Sequence, residues 1–253
     1  MHHNFSTMQE SMEYMHWRND QYFNLKESMP VSGFDNKSVL DYGCGPGNDI
    51  VGFGEYSKCK RLVGADVSTS SLQELQNRIS LHSFKVDIEL LDPETPTLPF
   101  ADASFDHIHC AGVLHHMNNP GEILREFSRV LKQDGTIHIM VYNYYSVWLH
   151  LYVAYQLTLV ENFYPDADLQ DRFRMSTDGI NCPISNCYKP EEWIAICRES
   201  GLEAYFSGAG ISMHEMTILP TRFNAVQDKR LPRESREFLL ALEFCKKGYP
   251  LYK

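Results

Sequence analysis

Residues 41–49, DYGCGPGND, place glycines at 43, 45 and 47 between two acids, Asp41 and Asp49. Glycine takes positive φ readily and, having no Cβ, lets a ligand approach the backbone closely. The loop follows the apolar run SVLDY, so it reads as a turn from a buried strand into a helix, with Asn48 or Asp49 as cap. Helix starts leave unpaired N–H groups facing such a turn. A plain strand-to-helix turn would use the same residues, and the loop alone leaves both readings open. Asp66 changes the balance. It ends the next strand candidate, 19 residues after Gly47, where a carboxylate can accept hydrogen bonds from both hydroxyls of a ribose.

The loop also discriminates between nucleotides. Dinucleotide sites favour G-x-G-x-x-G with a pyrophosphate on the helix N-terminus. Here the third glycine comes one residue early, and Asp41 and Asp49 would repel a pyrophosphate while suiting an ammonium group. A ribose ligand that carries an ammonium and a sulfonium but no phosphate is S-adenosylmethionine.

Three further groups could do chemistry. LHHM sets His115 and His116 just beyond a strand, where either could serve as a general base or orient an acceptor, or simply pack. Tyr142, Asn143, Tyr144, Tyr145 and Trp148 begin at the end of another strand. They suit an aromatic, amphiphilic or cationic acceptor, with core packing the alternative for most of them. Cys182 and Cys187, in CPISNC, could hold a soft metal or metalloid, but no second Cys/His pair completes a four-ligand set, so no metal is expected.

The elements that must position these residues alternate. Strand patterns at 38–42, 61–67, 84–91, 105–113 and 136–142 are interleaved with helical ones; Ile123, Phe127, Val130 and Leu131 follow helical spacing. Strand–helix units in this order imply a doubly wound, Rossmann-like α/β sheet. Residues 143–188 carry many aromatics and no strand signal, and are expected to form an insertion capping the acceptor site. KPEEWIAICRESG (189–201) resumes as a helix, with strand candidates at 202–207 and 213–219 and a last helix from about 233 to 247. At the N-terminus Phe5, Met8, Met12 and Met15 follow helical spacing, for a lid bringing Tyr14, Trp17, Arg18 or Tyr22 to a ligand, or a helix packed on the sheet.

Together VLDYGCGPG, GADVS, LPFADASFDHIHCAGVLHHM and ILREFSRVLKQDGTIHI resemble the class I S-adenosylmethionine-dependent methyltransferases. The likeness is to their broad type 11 family, which includes ubiquinone/menaquinone-biosynthesis enzymes. It spans residues 37–142 and fades afterwards. It implies one domain with a lid helix (1–36), a cofactor-binding core (37–142), a cap (143–188) and a C-terminal part (189–253) that completes the sheet. The implied sheet has seven strands in the order 3-2-1-4-5-7-6, the seventh antiparallel. By position, Gly43, Cys44, Gly45 and Gly47 should meet the methionine portion, with Asp41 reaching its ammonium. Asp66 should hold the ribose hydroxyls, Val67 should pack on adenine, and Asp92 should accept from the adenine amino group. Cys110 should lie along the methionine chain, and His115 is the better placed of the two histidines. One departure concerns Pro93, which has no N–H to offer adenine; Glu94 is then the expected donor.

Composition narrows the partners. The formal charge is −10 with no basic block, which disfavours nucleic acid and anionic membranes. Seven cysteines without CxxC spacing suggest reduced thiols and a cytoplasmic setting, and MHHNFSTMQE lacks the features of a secretory signal. VWLHLYVAYQLTLV (147–160) is too short to span a bilayer, yet it is apolar on nearly every face, so it should be buried under a lid or in a homodimer. The expected activity is methyl transfer to oxygen or nitrogen of a small-molecule metabolite. The alternatives are a metalloid or thiol methyltransferase using Cys182 and Cys187, and a non-catalytic S-adenosylmethionine-binding regulatory subunit.

Overall fold

A computed structural model describes residues 5–251. Strand β1 (Ser38–Tyr42) is buried at every position, Ser38 and Asp41 included, as a strand covered on both faces must be. It lies at the centre of a parallel sheet with β2 (Arg61–Asp66), β3 (Asp87–Leu90), β4 (Phe105–Ala111) and β5 (Leu131–Met140). The order is β3-β2-β1-β4-β5, so strand order reverses beside β1.

Side chains alternate between the faces. Val39 and Leu62 pack with Ile50 and Phe53 of α2 (Asn48–Tyr56) and with Leu72, Leu75 and Ile79 of α3 (Thr69–Ile79). Leu40, Tyr42, Val63, Ile108 and Cys110 pack the other way, against Ile123, Leu124 and Phe127 of α4 (Pro120–Val130). The N-terminal helix α1 (Met8–Asp20) lies over α2. Gly52 and Gly54, which weaken α2 as a sequence pattern, are packing residues: a Cβ there would come within 2.6 Å of Val31 and 2.4 Å of Phe84.

The doubly wound architecture and the order of the first five strands are as expected, but the sheet stops at five among the described residues. Leu202 and Ala204 rest on the α4 side of the core without joining a ladder, and Tyr205 points to solvent. Residues 211–212 pair antiparallel with 22–23 in a separate ribbon. The expected strand at 213–219 is instead a helix, Met213–Ile218. Its start is a capping box: the Ser212 hydroxyl accepts from Glu215 N–H (3.2 Å) while the Glu215 carboxylate accepts from Ser212 N–H (2.8 Å). That reciprocal pair satisfies two helix-end donors and overrides the β-forming residues that follow.

Residues 189–251 therefore build a helical layer rather than completing the sheet. After α5 (Trp148–Val160, wound with the wider π-type repeat) and α6 (Leu169–Thr177), α7 (Pro190–Glu199) packs on α4. Then α8 (Met213–Ile218), α9 (Arg222–Gln227) and α10 (Arg233–Ala241) enclose α5 together with α6. The apolar surface of α5 is thus covered within one chain, which removes the reason for a homodimer through it. None of the described helices is long and apolar enough to cross a membrane.

Candidate functional site

The glycine loop leaves β1 at the point where strand order reverses, and all three glycines have positive φ: +71°, +51° and +82° at 43, 45 and 47. Their roles differ. A Cβ on Gly43 would lie 2.3 Å from Val113 Cγ2 and one on Gly47 2.4 Å from Leu75 Cδ1, so these two permit close packing. Gly45 has nothing within 4 Å of its missing Cβ and fronts open space. Cys44 is buried, and its N–H, like that of Gly43, is donated to Ala65 O (3.1 and 2.7 Å).

Asp66 is tied to this loop. Its two carboxylate oxygens accept from Gly45 N–H and Ser68 N–H, each at 2.8 Å. A carboxylate offers about four acceptor positions, so two stay free for hydroxyl donors. Val67 beside it is 50% exposed, an apolar surface next to an oriented acid.

Beneath the loop lies a charged network. Asp41 is buried, and its Oδ2 has no hydrogen-bond partner among the described residues. Burial pushes its carboxyl up to about 7, against the pull of His109. Asp49, in the first turn of α2, accepts from Arg18 (3.1 Å) and faces His109 Nε2 at 3.4 Å. Burial would raise the Asp49 carboxyl, but Arg18 and His109 outweigh it and hold it well below the usual range. Burial would lower His109, whereas Asp49 and Asp41 lift it. Arg78, also buried, donates to Ser11 Oγ (2.8 Å) and Asn48 Oδ1 (2.5 Å) and so ties α1 to the glycine loop. His109 and Arg78 carry no signal in the sequence: each lies within an apolar pattern, and only strand pairing and helix packing reveal its partners.

A cavity of about 420 Å³ opens between α1, residues 25–32 and the start of α2, with Met15, Arg18, Asn19, Asp49 and Ala111 in its wall. Gly45 and Asp66 lie outside it. α1 reaches the cavity through Arg18, while Trp17 and Tyr22 point outward.

Three expected positions need correction. Cys110 is fully buried in the α4 side of the core; strand alternation gives the cavity its neighbour Ala111 instead. Glu94 N–H is already donated to Asp92 Oδ1 (2.9 Å) in a local turn, so it is not a free donor. Asp92 itself is exposed, with its other oxygen available. His115 is fully buried, stacked on Tyr142 with centroids 3.8 Å apart, and neither ring nitrogen has a hydrogen-bond partner among the described residues. Burial pushes its imidazole down to about 3, with His116 adding to the shift.

His116 is the accessible histidine of the pair. Its Nδ1 lies 2.8 Å from the Ile184 carbonyl, and its Nε2 faces Asp178 Oδ1 at 3.9 Å. Asp178 also accepts from Tyr142 OH (2.8 Å) and Ser185 OH (2.6 Å). The cap is sewn to the core here: Asn186 N–H donates to His115 O, and Tyr188 N–H to Tyr142 O, both at 2.9 Å. Asn143 bridges to Tyr188 and turns its side-chain oxygen to Tyr145 N–H. Tyr144 lies under Lys189 Nζ, 5.1 Å from its ring centroid, and Tyr145 OH reaches Glu191. Of the four proposed acceptor residues, only Tyr142 joins the histidine cluster directly.

Residues 40–139 match the family described as methyltransferase domain. Curated relatives include the Bacillus subtilis methyltransferase YcgJ, 33% identical over 97 residues (38% of this chain, 37% of the relative). A tRNA U34 carboxymethyltransferase of Campylobacter curvus is 32% identical over 125 residues (49% and 40%). The ubiquinone/menaquinone biosynthesis C-methyltransferase UbiE of Hahella chejuensis is 33% identical over 113 residues (42% and 43%). The matches thus span about two fifths of each relative's length. Among solved structures, a chain in the complex of the Haloferax volcanii Trm112 methyltransferase activator with a candidate methyltransferase superposes with a TM-score of 0.53 at 20% identity, covering 78% of this chain and 73% of that one. That likeness supports the fold.

Proposed function

We infer, from a chain whose residues 40–139 belong to the methyltransferase-domain family, that this protein transfers a methyl group from S-adenosylmethionine to oxygen or nitrogen of a small molecule. The observation that carries the reading is Gly45, left-handed and fronting open space, hydrogen-bonded to an Asp66 carboxylate that keeps two acceptor positions free. The site fits the cofactor on its own chemistry. Asp66 suits the ribose hydroxyls, exposed Val67 suits a purine face, and Asp92 keeps an oxygen for an amino donor. The partnerless Asp41 Oδ2 suits an ammonium.

When bound, the cofactor supplies a methyl group already activated on a sulfonium, whose leaving group needs no proton. The protein's contribution is then mainly to hold the two reactants in line and exclude water. α1 lines the neighbouring cavity through Arg18, which is anchored on Asp49 at the start of the helix that follows the glycine loop. An acceptor that must lose a proton requires a base, and His116 is the accessible imidazole at the end of β4. The buried His115 orients the cluster through its stack on Tyr142.

The charge of −10 favours a small acceptor over a polyanion. A tRNA acceptor is the second reading, favoured by the Campylobacter curvus relative. Methyl-labelled S-adenosylmethionine added with purified protein to a fractionated cell extract separates the two. Label in a small-molecule fraction supports the first reading and label in RNA the second. Absence of cofactor binding by calorimetry overturns both.

A further inference from the structure

We propose that Arg78 is a positioning residue for the glycine loop, coupling it to α1 so that docking of that helix and binding of the cofactor favour each other. The inference rests on the cofactor reading above and adds to it a residue that does not touch the ligand.

Arg78, on α3, is 2% exposed, and its guanidinium donates in two directions. Nε and Nη2 reach Oγ and the carbonyl oxygen of Ser11 on α1, both at 2.8 Å. Nη1 reaches Asn48 Oδ1 (2.5 Å) and the Pro46 carbonyl (3.4 Å), where the glycine loop enters α2. A guanidinium is planar and holds its donors in a fixed fork, so displacing one edge moves the other. Burial lowers Arg78 only to about 10, and it stays charged at neutral pH. A buried cation needs its donors satisfied. On the outer edge that duty falls to the N-terminal segment alone. Ser11 supplies both acceptors, and the rings of Phe5 and Tyr14 lie 4.6 and 5.8 Å from the guanidinium carbon.

Ser11 is fully buried and has a second connection. Arg78 Nε–H can only donate, so Ser11 Oγ accepts it, and the hydroxyl hydrogen turns to His82 Nε2 at 2.9 Å. A carboxylate can only accept, so His82 Nδ1 carries the ring proton and gives it to Glu55 Oε1 at 2.7 Å. Through one side chain of α1, the network thus grips α2 near both ends, at Asn48 and at Glu55.

The consequence at the loop is a helix start that no side chain caps. Asn and Asp ordinarily turn an oxygen onto such free N–H groups. Here Asn48 Oδ1 is taken by Arg78, and Asp49 by Arg18 of α1 and by His109. The first-turn N–H groups are left for an anionic group of the ligand, such as the cofactor's carboxylate. Undocking α1 would release both side chains to fold back on those donors and compete with the ligand.

Calorimetric titration of the full chain with S-adenosylhomocysteine and amide hydrogen exchange over residues 8–20 read the two sides of this coupling, which linkage ties together. In wild type, saturating ligand should slow exchange in α1 at least tenfold. Ser11→Ala leaves the loop's own contacts untouched, yet should weaken binding at least threefold and shrink that protection. Arg78→Lys keeps the charge and loses the fork. It should weaken binding at least fivefold and leave α1 exchange within twofold of its ligand-free rate. A role in packing alone predicts lower melting with affinity and ligand-dependent protection intact. That result in the folded variants overturns the inference, and Ser11→Ala decides alone if Arg78→Lys does not fold. Wild-type binding that leaves α1 exchange unchanged also overturns it and spares the cofactor reading, whereas absence of wild-type binding overturns both.

Discussion

Replacing Gly45 with alanine should separate ligand approach from folding. With φ at +51° and nothing within 4 Å of the added methyl, the substitution costs only the left-handed backbone conformation. That is about 1–2 kcal/mol. In a chain of this size each kcal/mol lowers the melting temperature by about 2–4 °C, so the variant should melt roughly 2–8 °C lower and remain folded at room temperature. Gly43→Ala is the contrasting case. Its methyl would lie 2.3 Å from Val113 Cγ2, adding overpacking to the same backbone cost. Overpacking contributes about 1–3 kcal/mol more, which Val113→Ala in the same chain should recover. Binding should follow the opposite order. The Gly45 methyl stands where a ligand would meet the loop, and an affinity loss of tenfold or more, about 1.4 kcal/mol, is expected. Calorimetric titration with S-adenosylhomocysteine and scanning calorimetry read the two quantities on the same samples. A folded Gly45→Ala protein that binds within twofold of wild type would refute the claim that Gly45 fronts the ligand.

Asp66→Asn leaves one carbonyl oxygen for the N–H groups of Gly45 and Ser68, so its amide must face one of those donors. The loss of about 1.5–3 kcal/mol should lower melting even without ligand, and an unchanged melting curve would contradict the geometry. Asp41, raised to about 7 chiefly by burial, is protonated in the native state below that pH and anionic above it. Affinity for the ammonium-bearing cofactor should therefore weaken several-fold from pH 7.5 to 6.0 and lose that dependence in Asp41→Asn, as calorimetry at both values would register. Because its native pKa exceeds the unfolded value of about 3.9, the Asp41 contribution to stability declines as pH rises from about 4 to about 7. Asp41→Asn should accordingly melt higher at pH 7.5. His115→Phe keeps the stack on Tyr142 and removes two partnerless nitrogens, so melting and cofactor affinity should hold or improve. His116→Ala should slow methyl transfer by about 10²-fold or more if it is the base, and an undiminished rate would exclude that role.

The sequence reveals most about features whose physics is local. SVLDY is read as a strand with its observed bounds because Val39, Leu40 and Tyr42 crowd into five residues that end at a glycine loop. The glycine loop and Asp66 are legible because a left-handed turn and a strand-end acid each restrict residue type at a fixed place. What is hidden depends on tertiary partners. Cys110 and Ala111 are neighbours in sequence, and only the direction of the pleat decides which one faces the cavity. The strand expected at 213–219 fails for a local reason that was readable: Ser212 and Glu215 have capping-box spacing.

The two histidines illustrate why position in a motif does not settle a role. His115 and His116 share one short turn, and their rings touch with centroids 4.2 Å apart. One ring is enclosed, its nitrogens without hydrogen-bond partners among the described residues; the other reaches a carbonyl, a carboxylate and a thiol. The difference comes from residues 178–188, a loop far along the chain that is pinned to His115 O and Tyr142 O by backbone hydrogen bonds. Nothing in LHHM specifies that loop, and the family match ends at residue 139, before it begins. The glycine loop and Asp66, the proposed cofactor half of the site, lie within the stretch that matches the family. On the proposed reading the acceptor half is built from the chain beyond it, where Cys182, Asp178 and Tyr142 surround the partly exposed His116 imidazole. Acceptor chemistry should then follow substitutions in 178–188 while cofactor affinity does not.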